Sequence, residues 1–248
     1  MVTFHGDPPT HLTLEPLEAA GVRHAFTTRH HGNFAAAPSG RPFAEPGPAL
    51  RSLRIAGSEV RSARQVHGTA CLLTDGRPPG LVGEGDAIVT GTAGTPLAIF
   101  TADCLAVVVA DPAQGVLGVA HAGWRGTVGG LLGRLVGSLV EPLGARPGGL
   151  VAGIGPSIGP CCYEVDEPVV GPLRAAFADD WRRWVRPRGP DKWSLDLWQA
   201  NTDQLVAAGV PRGAIANPRL CTACRPDLFF SYRKEGRGRS LVTLALLA

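Results

Sequence analysis

Three residues in this chain have the types to do chemistry together: His67 in Gln65-Val66-His67-Gly68, Cys104 in Thr101-Ala102-Asp103-Cys104, and His121 in His121-Ala122-Gly123-Trp124-Arg125-Gly126. Of the seven histidines, only His67 and His121 follow residue 31. Two imidazoles and one thiolate form a three-ligand set that holds zinc and leaves a position open for water or substrate. The same three residues also make a cysteine nucleophile with a histidine base. Residue types alone leave both chemistries open, and no short metal-binding spacing links the three, so only the fold can bring them together.

The elements around them are strand-like. Asp86–Thr90, Pro96–Phe100, Leu105–Ala110 and Gly115–Ala120 are short apolar or β-branched runs, continuous rather than alternating, as in strands covered on both faces. Cys104 falls between two of these runs and His121 ends a third, which places both at strand ends, where layered α/β folds carry chemistry. Gly126–Leu139 reads as a helix with Thr127 as N-cap and Leu131, Leu132, Leu135, Val136 and Leu139 on one face. Gly149–Ile154 reads as a buried strand, Asp166–Phe177 as a helix, Asp196–Ala208 as a helix capped by Asp196 and stopped by Gly209, and Ser240–Leu247 as a final strand. Residues 32–50, rich in Gly, Pro and Ala, read as a loop or poorly ordered segment. The expected fold class is α/β: one compact domain over residues 1–248, with mixed β-sheets covered by helices.

Composition narrows the function classes. With 24 Lys and Arg against 21 Asp and Glu, net charge +3, and no long basic run, neither nucleic acid nor a membrane surface is an expected partner. No apolar run approaches the roughly 18 residues of a membrane span, and residues 1–10 lack a secretory pattern, so a cytoplasmic location is expected. The six cysteines are then expected to be reduced. Cys161 and Cys162 are neighbours that cannot bridge each other without strain. The single Cys221-x-x-Cys224 lacks a second such pair with which to build a zinc ribbon.

Two further segments suit anions. His121–Gly126 leads into a helix, where free N–H groups, glycines and the Arg125 fork match a phosphate. A tight turn with Arg125 in a salt bridge is the plainer reading. Phe229–Arg239 carries Arg233, Arg237 and Arg239 among glycines, as either a solvated basic hairpin or an anion-binding loop.

The motifs QVHG, GDAIVT, TADCLAVVVAD, GVAHAGWRGT, GIGPSIGPCCYEV, SLDLWQANTDQL and CTACRPDLFFSYR run in order from about residue 63 to the C-terminus. Together they resemble the YfiH family, also called the polyphenol oxidase or laccase-domain family and purine nucleoside phosphorylase. The resemblance implies a cysteine-hydrolase-like α/β fold and a zinc site of His67, Cys104 and His121. It also implies phosphorolysis of adenosine, inosine, guanosine and methylthioadenosine to free base and ribose 1-phosphate, and deamination of adenosine. Purine nucleosides and phosphate are the implied partners, and a monomer is expected. The older family name implies copper and phenol oxidation. The chain departs from the family pattern at residues 29–50, at Ala106 where proline is frequent, and at Arg233-Lys234-Glu235-Gly236-Arg237-Gly238-Arg239. These positions bear on substrate preference.

A multicopper centre needs many imidazoles, which this chain concentrates in its weakly patterned first 31 residues, although a single copper at the trio would permit slow phenol oxidation. A zinc-activated water suits deamination, with Asp103 and Glu164 as candidate proton shuttles. Phosphorolysis needs phosphate holders, for which Arg125, Arg233 and Arg239 are the candidates, with Gln65 a further substrate-binding candidate. A Cys104–His amide hydrolase acting on cell-wall peptide precursors is the competing enzymatic reading, and a partner-binding protein the non-enzymatic one.

Overall fold

Strands that read as continuous apolar runs are sandwiched, and the layering shows why. The computed structural model describes residues 1–34 and 47–247. Among them a seven-stranded sheet runs in the order Val2–His5, His11–Leu14, Val22–Thr27, Leu241–Leu247, Leu97–Thr101, Arg61–Arg64, Gly80–Glu84. A six-stranded sheet runs Ile215–Ala216, Val151–Ile154, Leu105–Asp111, Val116–Ala122, Ala87–Thr90, Cys71–Leu73. Both sheets mix parallel and antiparallel pairs, and a small third sheet joins Glu164–Val165, Lys192–Leu195 and Val185–Gly189.

Side chains alternate across a pleated strand, so each face of the Leu105–Asp111 strand packs on a different layer. Ala106, Val108 and Ala110 meet Leu97, Ile99 and Phe26 of the large sheet, while Leu105, Val107 and Val109 meet Leu131, Leu135 and Leu205 of the covering helices. The far face of the large sheet is closed by Ala49, Leu50 and Leu53 over Ala98, Val242 and Leu244. The result is a helix–sheet–sheet–helix sandwich, the mixed α/β class expected.

Two local expectations are corrected. The helix expected over Gly126–Leu139 is two helices, Trp124–Val128 and Leu131–Val140, because Gly130 takes a left-handed φ of +72° that breaks the helical path. Thr127 therefore lies inside the first helix, its hydroxyl donating to Gly123 O at 3.0 Å, and is not an N-cap. The loop expected at residues 32–50 falls at 35–46 outside the described residues. Its end is helical: Pro48 opens Pro48–Leu53, a position where its missing N–H costs nothing. The Asp196 cap is present, accepting from Gln199 N at 2.9 Å at the start of Leu197–Ala207.

The N-terminal histidines serve the fold. His24 Nε2 accepts Leu14 N–H at 2.8 Å and His31 Nε2 accepts Ala49 N–H at 2.9 Å, so both are held neutral. Burial lowers the pKa of His24 and lowers those of His11 and His31 to about 4. At His11 and His31 the unfolded chain takes up a proton near pH 6.5 while the folded one resists until about 4, and the lowered pKa of His24 acts in the same direction. Stability is therefore full above pH 6.5 and is lost as pH falls towards 4, with a slope of roughly 1.4 kcal/mol per pH unit for each extra proton bound on unfolding. Urea midpoints measured between pH 7.5 and 4.5 are expected to fall across this window; a flat profile contradicts the assignment.

Candidate active site

Antiparallel pairing brings the three residues to one end of the six-stranded sheet. Ala106 pairs with His121 and Leu105 with Ala122, so Cys104, just before one strand, lies beside His121 at the end of its neighbour. Ala87 pairs with Ala120, which sets Asp86 opposite His121, and His121 N–H donates to Asp86 O at 2.7 Å. Cys71 pairs with Ala87, so the loop carrying His67 returns to the same end. The Nδ1 or Nε2 atoms of His67 and His121 and the Cys104 Sγ lie within 4.8 Å of one another, with the two rings edge to face at 4.7 Å.

Asp86 organises this trio. Its side chain is fully buried, and its carboxylate accepts the N–H groups of Val66, His67 and Gly68 at 3.1, 3.0 and 2.7 Å. These bonds hold His67 at φ +59°, a conformation sparsely populated by side-chain-bearing residues. The same carboxylate lies 2.8 Å from His121 Nδ1 and so turns Nε2 towards the other donors. A carboxylate behind a ligating imidazole is the usual support of a metal site, fixing both tautomer and orientation. The residues present therefore fit a divalent metal ion.

Electrostatics agree. Burial raises the Asp86 pKa, but the hydrogen bonds from His121, Gly68 and Val66 outweigh it and leave the group below the usual carboxylate value. Burial likewise opposes charge on Cys104 and His121, yet their mutual attraction, the hydrogen bond His121 donates to Asp86 and the bond from His67 to Cys104 prevail. Cys104 is drawn down to about 6 and His121 up to about 9. A resting thiolate beside a carboxylate-backed imidazole is ready to bind metal or to attack an electrophile.

Close approach needs Gly123. A Cβ there would stand 2.9 Å from Cys104 Sγ and 3.5 Å from His67 Cδ2. Gly123→Ala is expected to push Cys104 out of line and cost about a hundredfold in activity, with weaker metal retention. Wild-type metal content in the purified variant would show that the sulfur has room to yield.

The trio opens into a cavity of about 940 Å³ walled by Trp124, Arg125, Phe100, Tyr163, Arg233 and Arg237. Arg125 stacks on Trp124, its guanidinium carbon 4.4 Å from the ring centroid. Arg233 lies 5.2 Å from the centre of the Tyr163 ring and donates to Glu164 O at 3.0 Å. Burial, with the negative charge on Cys104, pushes the Tyr163 phenol upward, so it stays a hydrogen-bond donor.

Other expected site residues are placed differently. Arg239 is not among the residues lining this cavity; it pairs with Glu235 at 3.3 Å and stacks on Phe230, while Arg237 stands in the wall. Gln65 lines the cavity, but its amide spans the Phe100 backbone at 2.7 and 2.8 Å. Asp103 is buried at φ +87°, accepting from Thr222 Oγ1 at 2.5 Å, Ser231 Oγ at 3.0 Å and Arg233 N at 2.7 Å. Its oxygens are engaged, which makes it a clamp for the Arg233 loop rather than a free proton shuttle. Glu164 is exposed, contributes only its carbonyl to Arg233, and does not line the cavity. Sequence reasoning missed Asp86 as a supporting residue; its signal was an acidic residue immediately before the apolar and β-branched run Ala87–Thr90.

The family model described as multi-copper polyphenol oxidoreductase laccase matches residues 48–246. The chain belongs to this laccase-like family. Within it, the chain is similar to the purine nucleoside phosphorylase YlmD of Geobacillus stearothermophilus, 41% identical over 65% of this chain and 59% of that protein. It is similar to a purine nucleoside phosphorylase of Deinococcus radiodurans, 41% identical over 86% of this chain and 84% of that one. An adenosine deaminase, RL5, from an unknown prokaryote is 39% identical over 61% of this chain and 57% of its own length. The matches thus span less than two thirds of the YlmD and RL5 proteins. The solved YfiH protein of Bacillus licheniformis superposes with TM-score 0.86 at 28% identity, covering 99% of both chains. Members of the laccase-like family thus carry purine nucleoside names as well as the oxidase name. Among the described residues no helix is long and apolar enough to cross a membrane.

Proposed function

We propose that this chain is a metal-dependent purine nucleoside enzyme that splits adenosine, inosine, guanosine and methylthioadenosine with phosphate, and that deaminates adenosine at the same site. The observation that carries this reading is the His67–Cys104–His121 donor set at one end of a cavity whose wall holds Arg125 and Arg233. Relatives named for both activities support it. Zinc suits two imidazoles and a thiolate; copper is the alternative ion. The donors give no imidazole-rich multicopper set, which weighs against oxidase chemistry as the main activity.

A divalent ion held by His67, Cys104 and His121 would supply Lewis-acid chemistry at this end of the cavity. The protein's own groups do the rest. Arg125 and Arg233 hold phosphate beside the ribose C1′, with Trp124, Phe100 and Tyr163 offering flat surfaces to the base. A phosphate oxygen bonds to C1′ as the C1′–N9 bond breaks. The electron pair leaves with the purine, which takes up a proton from solvent, and the Tyr163 hydroxyl of the cavity wall can donate a hydrogen bond to it. Asp86 keeps His121 oriented, and Asp103 keeps the Arg233 loop in place through its backbone N–H.

Arg125→Ala and Arg233→Ala are expected to raise KM for phosphate about tenfold or more, with a much smaller change for nucleoside. Arg233→Ala keeps the N–H that Asp103 grips, so the loop is preserved. Equal effects on both substrates would remove these arginines from phosphate binding. The thiolate character of Cys104 also favours a second reading, a cysteine hydrolase acting on amides in the metal-free protein. Amide turnover that rises as metal is removed would support that reading; loss of turnover on metal removal supports the first.

A further inference from the structure

Two cysteine pairs that sequence spacing keeps apart meet behind the cavity wall. Val151–Ile154 feeds the turn holding Cys161 and Cys162, where Cys162 N and Tyr163 N both donate to Gly159 O, at 3.0 and 2.9 Å. Cys221 and Cys224 sit on a second turn, closed by Cys224 N and Arg225 N on Cys221 O, each at 3.2 Å. The turns are joined by Ser157 N to Leu220 O and Thr222 N to Ser157 O, both at 3.1 Å. The missing partner for Cys221-x-x-Cys224 is therefore a vicinal pair, not another Cys-x-x-Cys.

All four sulfurs lie within 4.8 Å of one another. Cys224 Sγ is 3.5 Å from Cys161 Sγ and 3.4 Å from Cys162 Sγ, so neither is its preferred partner. In a tetrahedral zinc tetrathiolate with zinc–sulfur bonds of about 2.3 Å, adjacent sulfurs stand about 3.8 Å apart, inside the range found here. Cys221 Sγ also accepts the Gly159 N–H at 3.3 Å, which ties the second turn to the first. A single disulfide would use two of these four sulfurs and leave the other two crowded beside it.

We propose that Cys161, Cys162, Cys221 and Cys224 form a second metal centre, a structural zinc site separate from His67, Cys104 and His121. Each sulfur binds as thiolate, so its proton passes to solvent and the closed centre offers no open position for substrate. Its work is mechanical. Ile158 N–H donates to Asp103 O at 2.8 Å and Thr222 Oγ1 to the Asp103 carboxylate, so both turns brace the residue that grips the Arg233 loop. Tyr163 of the cavity wall follows Cys162 directly. The assignment rests on these sulfurs and does not depend on the nucleoside reading.

The test is zinc content of the full chain, purified reduced and without chelator, together with alkylation of its thiols before and after zinc removal. The expected result is two zinc ions per chain, falling to one in Cys104→Ala and to one in the Cys221→Ser/Cys224→Ser double variant, the two losses being of different ions. Cys161, Cys162 and Cys224, which are exposed or half-buried, are expected to resist alkylation until chelator is added. One zinc per wild-type chain, lost in Cys104→Ala, overturns the proposal, as does a double variant that keeps both ions. Free alkylation of these cysteines in the untreated protein, or a disulfide among them, overturns it without any variant having to fold.

Discussion

Cys104→Ala, His67→Asn and His121→Ala are each expected to empty the cavity-side metal site and to lower kcat/KM by roughly a thousandfold or more, about 4 kcal/mol of transition-state stabilisation. The three residues share one ion, and a three-donor set reduced to two no longer fixes a divalent ion against water. His67→Asn is the most informative of the three. His67 is exposed, and asparagine tolerates a left-handed φ such as the +59° adopted there. Folding should be undisturbed while a ligand disappears. Cys104→Ala removes the thiolate as well and so abolishes both the metal reading and the nucleophile reading. Full metal occupancy at this site in any one variant would remove that residue from the ligand set.

The second large effect is expected at Asp86, which touches no substrate. All four of its partners, three backbone N–H groups and the His121 Nδ1–H, are donors. Asparagine keeps the volume but replaces one acceptor oxygen with an NH₂ that faces these donors. Asp86→Asn should weaken metal binding by about 10–100-fold, the usual cost of losing a carboxylate behind a ligating histidine. It should also lower stability by about 1–3 kcal/mol, because the substituted amide stands fully buried among donors from which its NH₂ cannot accept. Chelator competition and urea unfolding measure the two effects separately. Unchanged metal affinity with reduced stability would make Asp86 a brace for the loop alone.

Much of the fold was legible because burial on both faces leaves a plain trace. The runs at 86–90, 96–100, 105–110 and 115–120 are strands to within a residue or two. The trio was legible as residue types, since histidine is scarce after residue 31. What composition could not supply was register. Asp86 becomes a partner of His121 only when Ala87 pairs with Ala120, a long-range fact that neither strand's pattern encodes. The same holds for the four cysteines, whose two turns meet only because the strand Val151–Ile154 ends beside the segment carrying Cys221. Gly129 and Gly130 were visible as a pair, but the apolar face of Leu131–Val140 outweighed them and concealed the helix break. Sequence reading favours Arg239 over Arg237 as a phosphate holder, whereas Arg237 lines the cavity, because a two-residue offset in a glycine-rich loop decides which one faces it.

The His67–Cys104–His121 cavity is proposed to perform phosphate-dependent cleavage of purine nucleosides. The most direct measurement is chromatography of products after incubating metal-quantified protein with adenosine and with inosine, each with and without phosphate. Free base and ribose 1-phosphate are expected only when phosphate is present and not with Cys104→Ala, with inosine formed from adenosine in either case. No turnover of either nucleoside by protein carrying its full complement of metal would contradict the account.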